Sequence, residues 1–159
     1  MTKPTVLLID DSADDTLRFD RAIVSSPTKP AFRVVKDVES AQRYLRGHGD
    51  YANRAQWPLP RLIFLDLLLE NTRGTDFLIW SKAHPRFKRL PIVVVTGSIS
   101  PTVASEVLGL GANAVVEKPA NFEDLKLVLL ALCDVWLRIS VGPEFPVERR
   151  DPMRTEFAV

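Results

Sequence analysis

Three aspartates, a threonine and a lysine each come after a short apolar run in this chain of 159 residues. Asp10 and Asp11 follow the first run and Asp66 the third, whereas Thr96 follows the fourth and Lys118 comes shortly after the fifth. Carboxylates are ligands for hard cations such as Mg²⁺, and a carboxylate whose charge is screened is a nucleophile that forms acyl phosphates. A hydroxyl and an ammonium suit the oxygens of a transferred phosphoryl group. The residue types therefore indicate Mg²⁺-dependent phosphoryl transfer to an aspartate.

The elements that would position these residues follow from the apolar pattern. Each run is apolar on successive residues, which is typical of strands covered on both faces, as in parallel sheets. The predicted strands are Thr5–Ile9, Arg33–Val35, Leu62–Leu65, Ile92–Val95 and Ala114–Val116. The predicted helices are about Asp14–Val24, Val38–Arg46, Thr75–Ala83, Thr102–Leu110 and Phe122–Arg138. Five βα repeats predict an α/β fold, a doubly wound parallel sheet with helices on both faces.

The carboxyl ends of parallel strands share one edge of such a sheet, and ligands bind there. We therefore expect Asp10, Asp11, Asp66, Thr96 and Lys118 to form one site. Close carboxylates repel one another by roughly 4 kcal/mol per pair in a medium of intermediate effective dielectric constant. Lys118 offsets part of that repulsion, and the remainder predicts a bound Mg²⁺, with Asp66 as the phosphoryl acceptor.

Each candidate residue also has an ordinary structural interpretation. Acids near Ser12 suit the first turn of a helix that Ser12 caps, and for Asp14 and Asp15 this is the interpretation we adopt. The other candidates could end a strand in solvent, begin a turn or lie on the surface. Turn chemistry does not explain why acids, a hydroxyl and a lysine all fall at the same end of four strands. The complete set therefore favours a functional site.

Composition excludes several classes of protein. With 46% hydrophobic and 26% charged residues, the chain is typical of one globular domain. A formal net charge of +1 without a Lys/Arg-rich run predicts no direct contact with nucleic acid. The longest apolar stretch, Leu125–Ile139, carries charges and is shorter than the ~20 residues of a membrane span. The single Cys133 forms no intrachain disulfide and is predicted to be buried, and no signal-peptide pattern opens the chain, so we predict a cytoplasmic location.

Local patterns predict where two elements begin and end. Gly111 is expected just after the fourth helix, and Asn121 is expected to cap the fifth. The segment Gly47–Pro60, with two prolines near its end, is predicted to be an extended loop before the third strand.

Four segments of the chain resemble the receiver domains of response regulators in two-component signalling. They are "VLLIDDS", "LIFLDLLLE", "IVVVTGS" and "GANAVVEKP", and the resemblance extends over about Thr5–Ile139. It implies a flavodoxin-like sheet with the strand order 2-1-3-4-5. It also implies a signalling protein, not an enzyme in the ordinary sense, with a receiver domain over residues 1–140. Residues 141–159 would then be a C-terminal tail, extended or packed on a dimer.

The resemblance assigns roles to the acids. It implies that Asp11 binds Mg²⁺ directly and Asp10 through water, and that Asp66 is the phosphoacceptor. Asp66 and the backbone carbonyl of Leu68 would complete the protein ligands. The side chain of Leu68 offers no hydrogen bond to an attacking water, which predicts slow loss of the phosphoryl group.

The resemblance also assigns roles to the hydroxyl and the lysine, and the chain departs from the family pattern at two positions. Thr96 and Lys118 would contact the phosphoryl oxygens, and the Lys118–Pro119 peptide bond would be cis. Val115 stands where receivers commonly have an aromatic residue whose inward swing couples phosphorylation to the output surface. Glu70 stands where a proline is common. The sequence therefore predicts no aromatic relay and an unusual loop beside the acceptor.

Two further segments, "GDYANRAQWPLP" and "FEDLKLVLLALCDVWLRI", resemble the stand-alone response regulators that pair with bacterial and cyanobacterial phytochromes. This implies a phosphohistidine donor on a light-sensing histidine kinase, and a homodimer. The fifth helix is also more apolar than burial against one sheet requires. The second apolar face of this helix would be covered either by a dimer through the fourth and fifth helices or by the C-terminal tail. We favour the dimer.

Two other functions stay open on the sequence alone. A pseudo-receiver would be an interaction module that uses no phosphate, and Val115 and Glu70 favour it. A small metal-dependent phosphatase would use Asp66 as its nucleophile, but the chain has no acid two residues later to protonate a leaving group. The complete set of acids, hydroxyl and lysine favours the phosphoacceptor over both.

Overall fold

The structure is a computed structural model and describes residues 3–139 and residue 142. Five parallel strands form one sheet in the order β2-β1-β3-β4-β5. The strands are β1 Thr5–Ile9, β2 Ala31–Val35, β3 Leu62–Leu65, β4 Ile92–Thr96 and β5 Ala114–Glu117. The predicted fold class and strand order are confirmed. The predicted tail, residues 141–159, lies outside the described residues apart from residue 142.

Five α-helices cover the two faces of the sheet. They are α1 Ala13–Ile23, α2 Val38–Arg46, α3 Gly74–Ala83, α4 Pro101–Gly109 and α5 Phe122–Cys133. Leu7 and Ile9 of β1 pack in a cluster that contains buried residues of α2, α3 and α4. Val6 and Leu8, which alternate with them, pack with buried residues of α1 and α5. Burial on both faces explains why β1 is apolar from Val6 to Ile9.

Most boundaries agree with the predicted ones to within two residues. β2 begins at Ala31, earlier than predicted, because Ala31 pairs with the first residue of β1. β4 and β5 are each one residue longer because Thr96 pairs with Glu117. The predicted fifth helix is divided, since α5 ends at Cys133 and the π-helical segment Asp134–Ile139 continues it. Among the described residues, no helix combines the length and the apolar character that crossing a bilayer requires.

The helix caps near the carboxyl edge of the sheet are those that the sequence predicts. The Ser12 hydroxyl accepts a hydrogen bond from the amide of Asp15 at 3.2 Å. The Asn121 side chain accepts bonds from the amides of Glu123 and Asp124 at 2.8 and 3.3 Å. Both caps satisfy backbone donors that have no partner inside the helix, and they fix where α1 and α5 begin.

The segment Gly47–Pro60 is a loop before β3, as predicted, but it is folded against the end of α2. It contains a short 3-10 helix, Gly49–Tyr51. Arg54 donates to the carbonyl oxygens of Tyr44 and Leu45 at 2.8 and 2.7 Å. These are carbonyls of the last turn of α2, and the Tyr44 carbonyl also accepts from the amide of the C-cap residue Gly47 at 3.1 Å. The arginine therefore adds partners from outside at a helix end, where carbonyls have few partners within the helix.

Candidate functional site

Backbone pairing brings the predicted residues to one edge of the sheet. Asp10 and Asp66 directly follow the neighbouring strands β1 and β3, and the amide of Asp66 donates to the carbonyl of Ile9 at 3.0 Å. Thr96 is the last residue of β4, and the amide of Lys118 donates to the Thr96 carbonyl at 2.7 Å. The site therefore lies beyond the carboxyl ends of β1, β3, β4 and β5, where the strand order reverses direction.

Lys118 is the central cation of the site. Its Nζ donates to one oxygen each of Asp10, Asp15 and Asp66, at 2.9, 2.7 and 2.9 Å. Burial on its own lowers the pKa of Lys118, but the hydrogen bonds to Asp15, Asp10 and Asp66 outweigh burial and raise that pKa above its ordinary value. The lysine is therefore an ammonium at any physiological pH, and it faces three carboxylates.

Asp10 is fully buried, with a relative exposure of 0%. Burial raises the pKa of Asp10, and repulsion from Asp66 adds to this. Hydrogen bonds from Lys118 and from the Ser12 amide act in the opposite direction without cancelling the effect of burial. A further positive charge beside Asp10 would therefore stabilise its ionised form.

Asp66 has hydrogen-bond partners at both carboxylate oxygens. Its Oδ1 accepts from the Thr96 hydroxyl at 3.0 Å and from the Leu68 amide at 3.1 Å. Its Oδ2 accepts from Lys118 at 2.9 Å. With an exposure of 6%, the carboxylate lies just beneath the surface in one defined orientation, between a hydroxyl and an ammonium. This is a suitable arrangement for a nucleophile whose product carries three further oxygens.

The donor set at this edge fits a hard divalent cation. Asp10, Asp15 and Asp66 each offer a carboxylate oxygen, and the three oxygens lie within 4.8 Å of one another. Three carboxylates with one ammonium leave an excess of negative charge, and carboxylate oxygens are the ligands that Mg²⁺ prefers. Asp11 lies outside this group: its Oδ2 accepts from the Glu70 amide at 2.6 Å and so connects the segment after β1 to the segment after β3.

Asp15 is an acid in the first turn of α1 that Ser12 caps, as predicted. The sequence did not predict its contact with Lys118, which is the shortest of the three. One structural rule points to this position. Side chains of a helix tilt toward its N-terminus, and α1 begins at the carboxyl edge of β1, so an acid in its first turn is directed back toward the strand ends.

The predicted cis bond between Lys118 and Pro119 was also wrong. No peptide bond in the described part of the chain is cis. The two isomers of an X–Pro bond differ by only about 0.5–1 kcal/mol, so the local surroundings decide between them.

Comparison with known proteins agrees with this geometry. Residues 6–130 match the family described as the response regulator receiver domain. The chain is 30% identical over 138 residues to response regulator Rcp1 of Synechocystis sp., which covers 87% of this chain and 92% of that protein. The crystal structure of the phosphorylated cyanobacterial phytochrome response regulator RcpA superposes with a TM-score of 0.82 at 29% identity, covering 90% of this chain and all of that one. The Mn²⁺-bound form of Rcp1 gives a TM-score of 0.79 at 28% identity, covering 89% and 99% of the two chains.

The family match covers most of the chain and includes every strand that supplies the site. The relatives with the same architecture are signalling proteins, and one of them has been solved with a divalent cation. The strand order, the acidic edge and these matches lead to one conclusion: the chain belongs to the response regulator receiver family of two-component signalling and is akin to the phytochrome response regulators.

Proposed function

We propose that this protein accepts a phosphoryl group on Asp66 from a sensor histidine kinase, in a reaction that requires Mg²⁺, and passes the signal on through contacts with other proteins. One observation carries the proposal. The Asp66 carboxylate is held between the Thr96 hydroxyl at 3.0 Å and the Lys118 ammonium at 2.9 Å, beside the fully buried Asp10. A nucleophile, partners for the incoming oxygens and an acidic site for a cation are thus present together.

In the proposed reaction an oxygen of Asp66 attacks the phosphorus of a phosphohistidine. One O–P bond forms, the P–N bond breaks, and its electron pair leaves with the imidazole. Lys118 then donates to a phosphoryl oxygen instead of the Asp66 carboxylate, and the Thr96 hydroxyl donates to another. Both groups already contact Asp66, so little movement is needed to transfer their hydrogen bonds.

The cation would be held by Asp10, Asp11 and Asp66 together with the backbone carbonyl of Leu68. When bound, Mg²⁺ supplies positive charge that neutralises the carboxylates and the phosphoryl oxygens. The excess of acid at this edge and the raised pKa of Asp10, caused first by burial, are the structural support for this part of the proposal. The Mn²⁺-bound form of Rcp1 supports it by relationship.

A groove beside the site suits a protein as the phosphoryl donor. The groove has a volume of about 430 Å³ and lies between α1 and β2, next to Asp11. Its apolar lining includes Leu17, Phe32 and Val34, and Leu17 is 58% exposed. Burying such side chains against a helix of the kinase would favour docking next to Asp66. The relationship to phytochrome response regulators supports a kinase of the phytochrome type.

Exposed apolar residues support the proposed homodimer through α4 and α5. Leu108 of α4 is 48% exposed, Leu127 of α5 is 70% exposed and Val135 of the following segment is 47% exposed. Size-exclusion chromatography with light scattering should show a dimer at micromolar concentration, and Leu127→Asp should shift it toward monomer. A wild-type protein that is monomeric under those conditions would refute this part.

Intact-protein mass spectrometry tests the phosphoacceptor directly. Incubation with acetyl phosphate and Mg²⁺ should add the mass of one phosphoryl group to the wild type. Asp66→Asn should gain nothing, because an amide is not a nucleophile here, and omission of Mg²⁺ should suppress the gain. If the wild type gains no mass from acetyl phosphate or from kinases, the protein is a pseudo-receiver that acts without phosphate.

A further inference from the structure

Asp15 is a carboxylate to which the proposed reaction gives no role. It lies in the first turn of α1, and its Oδ2 is 2.7 Å from Lys118 Nζ. We infer that Asp15 is a positioning residue, which together with Asp10 holds Lys118 in place while the phosphoryl group is transferred to Asp66. The inference rests on the proposed function and adds a residue to it.

The ammonium of Lys118 uses its full hydrogen-bonding capacity. An ammonium has three N–H donors, and here one is directed at each of Asp10, Asp15 and Asp66. Transfer of a phosphoryl group changes only the third partner, since Asp66 becomes an acyl phosphate. The bonds to Asp10 and Asp15 stay in place and fix the ammonium as its remaining bond moves to a phosphoryl oxygen.

Without Asp15 this restraint is lost when it is needed. A lysine side chain is a flexible chain of four methylene groups that ends in a point charge, so its position depends on the partners of the ammonium. If Asp15 were an asparagine, Asp10 would be the one remaining carboxylate that holds Lys118 once Asp66 had reacted, and the bond at position 15 would be to a neutral amide oxygen, which is a weaker partner for an ammonium. The ammonium would then have a wider range of positions, and fewer of them would place it on the phosphoryl oxygens.

Asp15 is itself oriented from its other side. Its Oδ1 is 3.6 Å from Arg18 Nη1, one turn later in α1. The Nη2 of Arg18 donates to the backbone carbonyls of Pro119 and Ala120, at 3.0 and 3.1 Å. α1 therefore contacts both the Lys118 side chain, through Asp15, and the backbone that follows Lys118, through Arg18. These contacts form one continuous connection between α1 and the segment that carries the lysine.

The same carboxylate could be considered a metal ligand, since it lies near Asp10 and Asp66. Its surroundings favour the positioning role. One oxygen of Asp15 contacts the ammonium and the other faces the guanidinium of Arg18. Asp10 and Asp66 share the contact with Lys118, but Asp15 also faces the guanidinium of Arg18. A divalent cation bound to Asp15 would therefore lie near a second positive group, at a Coulombic cost that binding to Asp10 and Asp66 avoids.

The test compares Asp15→Asn with Asp14→Asn. Asp14 is the neighbouring acid of the same turn, is exposed, and is not a partner of Lys118, so the control removes the same charge at nearly the same place. The phosphoryl donor is acetyl phosphate, used with saturating Mg²⁺. The O–P bond to Asp66 forms as the P–O bond of the donor breaks, and the electron pair of that bond leaves with acetate. We expect the rate constant to fall about 10- to 100-fold in Asp15→Asn and to change less than about twofold in Asp14→Asn.

Two measurements on the unphosphorylated protein separate positioning from the alternatives. The dissociation constant for Mn²⁺, measured by electron paramagnetic resonance, should change less than about threefold in Asp15→Asn, because the inferred role involves no bond to the metal. The ¹H–¹⁵N signal of the Lys118 ammonium should be visible in the wild type, where three charge-assisted hydrogen bonds protect its protons from exchange. It should be weakened in Asp15→Asn, where a neutral amide oxygen replaces one of the three carboxylate partners. Backbone amide spectra check that each variant is folded. If Asp15→Asn does not fold, Asp15→Ser is used in its place.

The outcomes are distinct. A slower reaction with unchanged Mn²⁺ affinity and a weakened ammonium signal supports the inference. A loss of Mn²⁺ affinity of more than about tenfold, or a rate that higher Mg²⁺ restores, would show a metal ligand and overturn it. An unchanged rate in Asp15→Asn, with a phosphorylated wild type, overturns the inference alone. A wild type that is never phosphorylated overturns the proposed function and the inference with it.

Discussion

Removal of the Lys118 ammonium tests the charge balance of the site. Lys118→Met keeps the length of the side chain and deletes the charge. In the wild type the side chain of the lysine is 10% exposed, and the side chains of its partners Asp10, Asp66 and Asp15 are 0%, 9% and 23% exposed. Loss of one member of a buried ion pair destabilises a protein by about 3–5 kcal/mol, because the remaining charge lacks compensation. We expect the lower end, about 3 kcal/mol near neutral pH without Mg²⁺, because the partly exposed Asp15 can be hydrated.

The effect should depend on pH in a defined direction. Burial already raises the pKa of Asp10, and the hydrogen bond from Lys118 counteracts it, so loss of the lysine raises that pKa further. A carboxyl whose pKa is higher in the folded than in the unfolded state binds more protons when folded, so the free energy of unfolding falls as pH rises. The pKa of Lys118 in the wild type is raised above its ordinary value of 10.5. Its contribution to the free energy of unfolding is therefore complete and constant at every pH below that value.

Urea unfolding followed by tryptophan fluorescence measures this. Lys118→Met and the wild type are compared with EDTA near pH 5 and near pH 8, and the difference between them should be larger near pH 8. Mg²⁺ should restore part of the lost stability, since a cation that binds only the folded protein stabilises it. Lys36→Met is the matched control, because Lys36 is exposed and its removal should change the free energy of unfolding by less than about 0.5 kcal/mol. A Lys118→Met protein as stable as the wild type near pH 8, or equally destabilised at both values, would refute the reasoning.

Three further perturbations test other parts of the site and the core. Asp10→Asn should raise the urea midpoint in EDTA, because burial raises the pKa of Asp10 and its charge therefore destabilises the fold above the ordinary value of 3.8; no gain near neutral pH would contradict this. Leu68 is 71% exposed and its amide contacts Asp66. Leu68→Asn should therefore shorten the lifetime of the phosphorylated protein about tenfold, because the asparagine offers a hydrogen bond to an attacking water. Val24→Asn, at the far end of α1, is the control and should leave the lifetime unchanged. Cys133 is fully buried, and burial raises its pKa to about 12, so a thiol reagent near pH 8 should label it only after unfolding in urea; rapid labelling of the native protein would be inconsistent with the core described here.

The fold was predictable because one physical constraint dominates it. The interior of a strand buried on both faces is apolar, and β1 from Val6 onward, β3 and β4 carry that pattern until the polar residue that ends each run. The predicted strand order came from the resemblance, since the order of parallel strands does not follow from the apolar pattern alone. The folding of the loop Gly47–Pro60 was not predicted because Arg54 fixes it through carbonyls that lie close only in the folded chain.

The site was predictable to the extent that strand ends define it. Asp10, Asp66, Thr96 and Lys118 were placed correctly because each follows a strand directly or nearly so. Asp15 was not, because it is placed by the direction of a helical side chain across an intervening turn. Sequence spacing alone does not distinguish it from Asp14, which lies in the same turn and faces solvent.

The contacts around Lys118 show which helices are connected most directly to the site at Asp66. Through Asp15 and through Arg18, which donates to Pro119 and Ala120, the lysine and its following backbone are attached to α1. α1 and α5 lie on the same face of the sheet and share a buried cluster. Val115, which stands where an aromatic relay would be expected, lies half-buried against the cluster of the opposite face and has no ring to move. A change in the partners of Lys118 is therefore connected by hydrogen bonds to α1, which packs with α5 in that cluster. Toward α4, Val115 provides packing contacts alone.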